Sequence, residues 1–362
     1  MSSMFGQYLR LSLFGQSHGE AIGLIMDGFP AGFIIDEALL AREMQRRQGG
    51  GDLTTPRREA DKVQFVSGVW QGRTTGQPIG MLIRNENMRS EDYGTELDRI
   101  RPSHADYTGH VRYFGFEDFR GGGSFSGRLT APLVAAGELC RQWLAGKGVR
   151  IESHIARIGK AADVPIMDCS ADEDLSRLRD MRLPVLSMDA RQAMEQEIRS
   201  AISEGDSVGG IIEGRVIGLP AGLGAPFFDS VESVLSHLFF SVPAVKGVSF
   251  GAGFALSEMR GSEANDPFCL SKDAIVTKRN RAGGLNGGIT NGMPVIYRCA
   301  FRPTPSISRE QDTVSLVRRQ EVTLSIHGRH DPCIAVRAVP VMDAMTAIGI
   351  MELWKEREAC VQ

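Results

Sequence analysis

Four polar islands, at residues 15–19, 101–106, 121–130 and 328–332, combine titratable side chains with glycine and hydroxyl neighbours. His18 follows Ser17 in a glycine-flanked loop, a setting that exposes an imidazole to a cleft and lets it trade a proton near neutral pH. His104 lies in Arg101-Pro102-Ser103-His104-Ala105-Asp106, and His330 stands between Arg329 and Asp331, one able to bind an anion and the other to accept a proton. A single loop histidine is more often an ordinary surface group than a catalyst. Three of them set among glycine, arginine and serine, rather than on apolar faces, reinforce one another. Between residues 42 and 58 there are five arginines (Arg42, Arg46, Arg47, Arg57, Arg58) against Glu43 and Asp52, with no lysine. That bias suits bidentate recognition of carboxylate or phosphate. Glycine totals 42 residues and clusters at 121–123, 251–253 and 283–292. Backbone without Cβ can approach a ligand closely, as in phosphate and flavin cradles, although for any one glycine a tight turn is the commoner reason.

Several chemistries are argued against. The seven histidines show no HxxxH pair on a helix, and the six cysteines (Cys140, Cys169, Cys269, Cys299, Cys333, Cys360) include no CxxC, so no metal site or disulfide framework is expected. Reduced, mostly buried thiols are the expectation. There is no GxxxxGK[ST], and Gly251-Ala252-Gly253 lacks the third glycine of a dinucleotide fingerprint. The spacing in Gly123-Ser124-Phe125-Ser126-Gly127 does not fit GxSxG. A net charge of -3 gives no electrostatic footprint for nucleic acid. No apolar run reaches membrane-spanning length, and the first 20 residues lack a signal-peptide core, so a cytoplasmic, unprocessed protein is expected.

The elements that must position these islands follow from periodicity. Strands are predicted at 8–14, 21–28, 63–69, 79–84, 209–219, 245–250 and 293–301. Helices are predicted at 37–47, capped by Asp36, and at 133–145, 191–203, 230–240 and 342–358. Residues 85–110 read as a long functional loop. The irregular alternation excludes a regular doubly wound sheet. With no linker and no visible short repeat, residues 1–362 are taken as a single α+β domain.

Read in order, FGQSHG, TTPRRE, RPSHADYT, RGGGSFSGRLTAP, PAVKGVSFG, GGLNGGITNGMP, FRPTPSI and GRHDPCIAVRAVPVMDAM resemble the chorismate synthase family along essentially the whole chain. The resemblance implies a β-α-β sandwich of pseudo-repeated halves assembled as a homotetramer. It also implies a lyase reaction in which 5-enolpyruvylshikimate 3-phosphate loses phosphate by anti-1,4-elimination. Reduced FMN would be required with no net redox change, the reductant coming from outside, for instance NADPH through a separate flavin reductase. On matching positions, His18 resembles the histidine that protonates the departing phosphate. His104 resembles the one that manages the flavin proton, and Asp331 the aspartate that helps to deprotonate the flavin. Ser17, Arg46, Arg58, Arg128 and Arg329 would bind substrate. For FMN the matching residues are Ser124, Phe125, Ser126, Pro243, Ala244, Gly287, Arg302, Pro303, Thr304, Pro305, Ser306 and Arg329.

The sequence departs from the family pattern at Gln16, Ser103 and Arg302, at Phe125 where a small hydroxyl is usual, and at Asp52 where a basic residue is usual. The 124–130 stretch resembles one bacterial branch, and the absence of a reductase-like module resembles the monofunctional type. Two other readings share the same residues: an FMN-binding oxidoreductase that passes hydride to an external acceptor, and an FMN-binding paralogue without turnover.

Overall fold

The computed structural model describes residues 3–49, 51–55, 60–86, 97–170, 173, 175–272, 274–326 and 330–360. Two five-stranded sheets enclose a layer of helices. The first sheet runs in the spatial order Met4–Phe5, Arg10–Gly15, Ala21–Asp27, Ile79–Arg84, Gln64–Ser67, and the second runs Ala161–Ala162, Arg150–Ile158, Gly210–Ile217, Val295–Phe301, Val245–Phe250. All neighbours within them are antiparallel. Setting aside the two-residue edge strands, each sheet orders its strands first-second-fourth-third along the chain. In each, a helix joins the second strand to the third (α1, Glu37–Arg47; α5, Val231–Ser241), and another follows the fourth (α3, Thr130–Ala145; α7, Ala335–Cys360). In each, too, the third strand bulges against the fourth, between Phe65 and Ser67 in one half and between Val245 and Gly247 in the other. This repeated topology is the internal pseudo-repeat of the β-α-β sandwich. The second half differs by a long insertion between its first two strands that carries α4 (Met188–Ser203). Two short helices, α2 (Asp106–Arg112) and α6 (Gly261–Ala264), complete the set.

The helix layer owes its tightness to small residues. α3 touches strands of both sheets and packs most extensively on α7. A Cβ at Gly137 would lie 2.3 Å from Ala344 Cβ and 2.4 Å from its Cα, so the two backbones meet there with no room for a side chain. α1 forms where the pattern requires: Asp36 Oδ1 accepts from Leu39 N at 2.9 Å, Leu40 and Met44 are buried, and Arg46 and Arg47 sit in the last turn, where the helix dipole favours cations.

Several elements differ from the periodicity reading, among them the hairpins 268–277 and 311–324, and three bear on the layers described above. α7 starts at Ala335 rather than 342, because residues 335–341 are almost wholly buried and show no polar side to mark a period. α2 lies inside the stretch read as loop. Arg150–Ile158, a nine-residue strand at the heart of the second sheet, was not expected at all. Its inward and outward faces are both covered, and one carries Glu152 and His154, charged residues that disguise a buried strand as a polar segment. Those charges are matched. Arg215 Nε donates to Glu152 Oε2 at 2.7 Å. The two nitrogens of His154, which is fully buried, lie 3.1 Å from Asp163 Oδ2 and 3.0 Å from Glu213 Oε2. Burial opposes a charge on His154, but the hydrogen bonds to the two carboxylates outweigh it and hold its pKa above the ordinary histidine value.

All six cysteines are free: Cys140, Cys299 and Cys333 are buried, Cys169 and Cys269 half-buried, and Cys360 exposed.

Candidate active site

His18 occupies the tight turn between the strands Arg10–Gly15 and Ala21–Asp27. Gly19 N donates to Gln16 O at 3.1 Å to close the turn, and Ser17 N donates to Gly123 O at 3.1 Å. Both Ser17 and His18 are buried. The glycine run at 121–123 folds over the imidazole with positive φ at all three residues. A Cβ on Gly121 would lie 2.1 Å from His18 Nδ1, so only glycine permits this approach.

The loop leading into α3 then supplies an arginine network. Ser126 caps the turn at Gly127–Leu129 by accepting from Arg128 N at 3.2 Å. Arg128 Nε donates to Asn85 Oδ1 at 2.9 Å, and its Nη1 donates to Asp61, whose other oxygen accepts from Arg47 Nη1 at 2.8 Å. Arg47 also donates to Thr130 Oγ1 at 2.9 Å and to Gly127 O at 3.1 Å. Phe125 stands 6.2 Å, centroid to centroid, from Tyr113 and against Gly109 of α2, so an aromatic ring fills the space that a glycine on that helix leaves open. Ser124 is exposed.

The second half contributes the equivalent loop before α7. Asp331 Oδ1 accepts from Thr55 N at 2.9 Å and Oδ2 from Arg337 Nη1 at 2.7 Å, while Arg337 Nε donates to Arg47 O at 3.0 Å. Asp331 is thereby tied to the same arginine network that reaches Arg128. Next to it, His330 and His104 lie close enough to influence one another's charge, with Arg101 nearby. Arg101 forms a two-pronged pair with Asp106, at 2.8 and 2.7 Å. His104 Nε2 lies 2.7 Å from Ser306 Oγ. Burial, followed by the positive charge of Arg101, pushes the His104 imidazole down to about 4, and the same causes lower His330. Both rings are therefore neutral at physiological pH and able to accept a proton.

Arg302 Nη1 donates to Ser103 O at 3.0 Å, and its backbone N donates to Ala244 O at 3.0 Å. Residues 302–306 and 243–244 thus flank the His104 loop. In this cluster Thr304 Oγ1 and His330 Nε2 are buried without a hydrogen-bond partner, as are polar atoms elsewhere among the described residues, on Glu43 and Asp343 for example. Here such atoms could be matched by a bound ligand.

The structure therefore brings together His18, Ser17, Arg128 and Ser126 in one cluster, and His104, Asp331, Ala244, Arg302 and Ser306 in a second one linked to it. Arg46 stands apart: it pairs with Glu43 at 2.5 Å and Asp343 at 3.1 Å on the α1–α7 face. Gly287 is exposed in the hairpin 285–290, with open space where a Cβ would stand; its neighbour Gly288 is the one that lies against Ser230 at the start of α5. Pro243 and Ala244 follow the other end of that helix, roughly 16 Å away at 1.5 Å per residue. Asp52 is exposed. Arg58 and Arg329 lie outside the described residues. Asn85, Asp61, Arg47, Arg101 and Arg337 were not singled out from the sequence as site residues. The only signal was the excess of arginine, since their pairing exists in space and not in spacing.

Fold and site together are those of an enzyme in which arginines, neutral histidines and a held carboxylate stand where they could hold an anion and exchange protons. Comparison with known proteins agrees. The family model described as chorismate synthase matches residues 9–354. Chorismate synthase of Thermococcus kodakarensis is 42% identical over 357 residues, covering 98% of each chain. That of Methanosarcina acetivorans is 44% identical over 351 residues, 97% of this chain and 95% of the other. A crystal structure of chorismate synthase superposes with a TM-score of 0.76 at 27% identity, covering 98% of this chain and 93% of that one. The chain belongs to the chorismate synthase family, whose members are carbon–oxygen lyases.

Proposed function

We propose that this chain converts 5-enolpyruvylshikimate 3-phosphate to chorismate by anti-1,4-elimination of phosphate, acting as a single folded unit with FMN bound in its reduced form. Membership of the family over nearly the whole chain is the observation that carries the reading. The flavin fits the residues present. An electron-rich, anionic cofactor suits Arg302 beside Ala244, and the buried Thr304 Oγ1 and His330 Nε2 offer polar atoms still to be matched. Residues 124–126, 243–244 and 302–306 would hold it. When bound, it supplies transient electron donation that eases cleavage of the C–O bond.

The protein's own part is binding and proton transfer. His18, buried under the glycine run, donates a proton to the leaving phosphate, whose negative charge is held by neighbouring arginines. Neutral His104, oriented by Ser306, and Asp331, oriented by Thr55 and Arg337, take up the proton released on the other side. Such a polyanion is costly to desolvate, and the arginine network offsets that cost. Reducing equivalents would come from a separate donor, for instance NADPH through a flavin reductase. Assembly as a homotetramer in the cytoplasm completes the reading. It is supported by apolar side chains on the first sheet and beside it, Tyr8, Phe14, Ile25 and Val66, that are exposed in one chain, and by the lack of any membrane-crossing helix among the described residues.

The test is anaerobic. Purified protein, dithionite-reduced FMN and the enolpyruvyl substrate should release phosphate together with the ultraviolet absorbance of a conjugated diene, and only when flavin is reduced. Flavin binding without phosphate release would leave the fold and remove the function.

A further inference from the structure

Asn85 follows the strand Ile79–Arg84 and is 8% exposed, and its backbone N–H, its amide donors and its amide oxygen all bond within the site just described. Its backbone N donates to Glu20 O at 3.0 Å. Its Nδ2 donates to Gln16 O at 3.1 Å and to Gly19 O at 2.8 Å, the carbonyls on either side of Ser17 and His18. Its Oδ1 accepts from Arg128 Nε at 2.9 Å. The orientation of this amide is fixed by chemistry, since carbonyl oxygens only accept and a guanidinium only donates. No other side chain of that size provides two donors and an acceptor. A carboxylate has no proton to give the turn, and a hydroxyl has only one.

We propose that Asn85 is a positioning residue that locks the His18 turn to Arg128, so that the proton donor and the anion-holding arginine keep one fixed relation during phosphate loss. The inference rests on the role given to His18 above. Asn85 is the side-chain joint between the turn and the arginine, alongside the backbone bond from Ser17 N to Gly123 O. On one side the turn is closed by Gly19 N to Gln16 O and roofed by the 121–123 glycines. On the other, Arg128 is fixed through Asp61 to Arg47 and thence to Thr130 at the start of α3. Placement errors of about 1 Å at a reacting group can cost on the order of a hundredfold in rate. A dedicated clamp on the turn therefore has a measurable job.

The decisive variant is Asn85→Asp, which is isosteric, keeps an acceptor for Arg128 and removes both donors to the turn. We expect kcat for phosphate release to fall roughly 10- to 100-fold, with KM changed less than about threefold because the arginine contact is kept. In a His18→Ala background the same change should have less than about a twofold effect, since the group it positions is gone. A near-normal kcat in Asn85→Asp, or losses that multiply in the double variant, overturns the proposal. If Asn85→Asp fails to fold by circular dichroism, Asn85→Ser, which keeps one donor, enters the same cycle under the same criteria. Hydrogen–deuterium exchange of the 16–19 amides needs no turnover. Faster exchange in the variant is expected, and unchanged protection refutes the clamp even if the wild-type protein releases no phosphate. Absence of phosphate release by the wild type counts against the proposed reaction instead.

Discussion

The closeness of α3 and α7 can be tested by adding one carbon. In Gly137→Ala the new Cβ would sit 2.3 Å from Ala344 Cβ, 2.4 Å from Ala344 Cα and 2.6 Å from Ala344 O. Carbon atoms rest comfortably at about 3.5–4.0 Å, so the helices must part by about 1 Å. Helix propensity favours alanine over glycine by about 1 kcal/mol. Overpacking opposes it by about 1–3 kcal/mol, and more where the obstacle is backbone that cannot rotate away. Because the obstacle is backbone, the cost sits near the upper end, about 3 kcal/mol, and the clash wins with a net loss of about 2 kcal/mol, or roughly 4 °C in Tm at about 2 °C per kcal/mol for a chain of this size. The consequence reaches the chemistry, because α3 begins just after Arg128 and α7 shortly after Asp331. Turnover should fall about tenfold or more as those two loops separate. Gly349→Ala provides the comparison: its Cβ would meet only the ends of Leu235 and Leu238, at 2.7 and 2.9 Å, which can yield. Thermal scans, urea titration and the phosphate-release assay on both variants decide the matter. A Gly137→Ala protein as stable as the parent, or more stable by the propensity gain, would refute the tight-crossing argument.

Three further outcomes are expected. His104→Ala and Asp331→Asn should each slow phosphate release by roughly a hundredfold or more, and parental rates in either would remove that residue from the mechanism. Because His104 is depressed to about 4 in the folded protein against an ordinary value near 6.5, the unfolded chain binds a proton that the native one does not between those limits. His104 therefore lowers stability as pH falls from about 6.5 to about 4, and urea midpoints of His104→Gln and the parent should converge over that window; parallel curves would contradict the shift. Glu213→Gln removes a carboxylate that serves His154, Arg298 Nε at 2.7 Å and Ile166 N at 2.6 Å, and should cost about 3 kcal/mol, the low end for a broken buried pair because Asp163 remains. With the His154 pKa raised in the fold, the parent's advantage is full below about 6.5 and shrinks as pH rises through the raised value, and a pH-independent difference would argue against a charged His154.

Legibility differed by element for physical reasons. α1 could be read to its ends because its Asp36 cap and its apolar stripe agree. The strand Arg150–Ile158 could not, because Glu152 and His154 are buried with partners from distant segments, and hydropathy cannot distinguish a matched buried charge from a solvated one. At the site, the four islands could be picked out by residue type, since titratable side chains cluster there with glycine, serine and arginine, and the structure places His18, His104 and Asp331 in two linked clusters. Asn85 and Asp61 carried no such mark. Their importance comes from standing 43 and 67 residues away from Arg128 in the chain and within hydrogen-bond reach of it in space.

Glu352 on α7 accepts backbone protons from Gln7, Tyr8 and Leu9, at 2.6, 3.2 and 2.5 Å, across about 345 positions of sequence. On a ribosome adding about 5–20 residues per second, the strands of the first sheet emerge some 10–50 s before the helix that ties them down. Through that interval α3 can already cover the sheet, but the amides of residues 7–9 lack their carboxylate acceptor, and contacts of such long range form slowly once they can form. The amino-terminal half thus depends for its final shape on residues translated last.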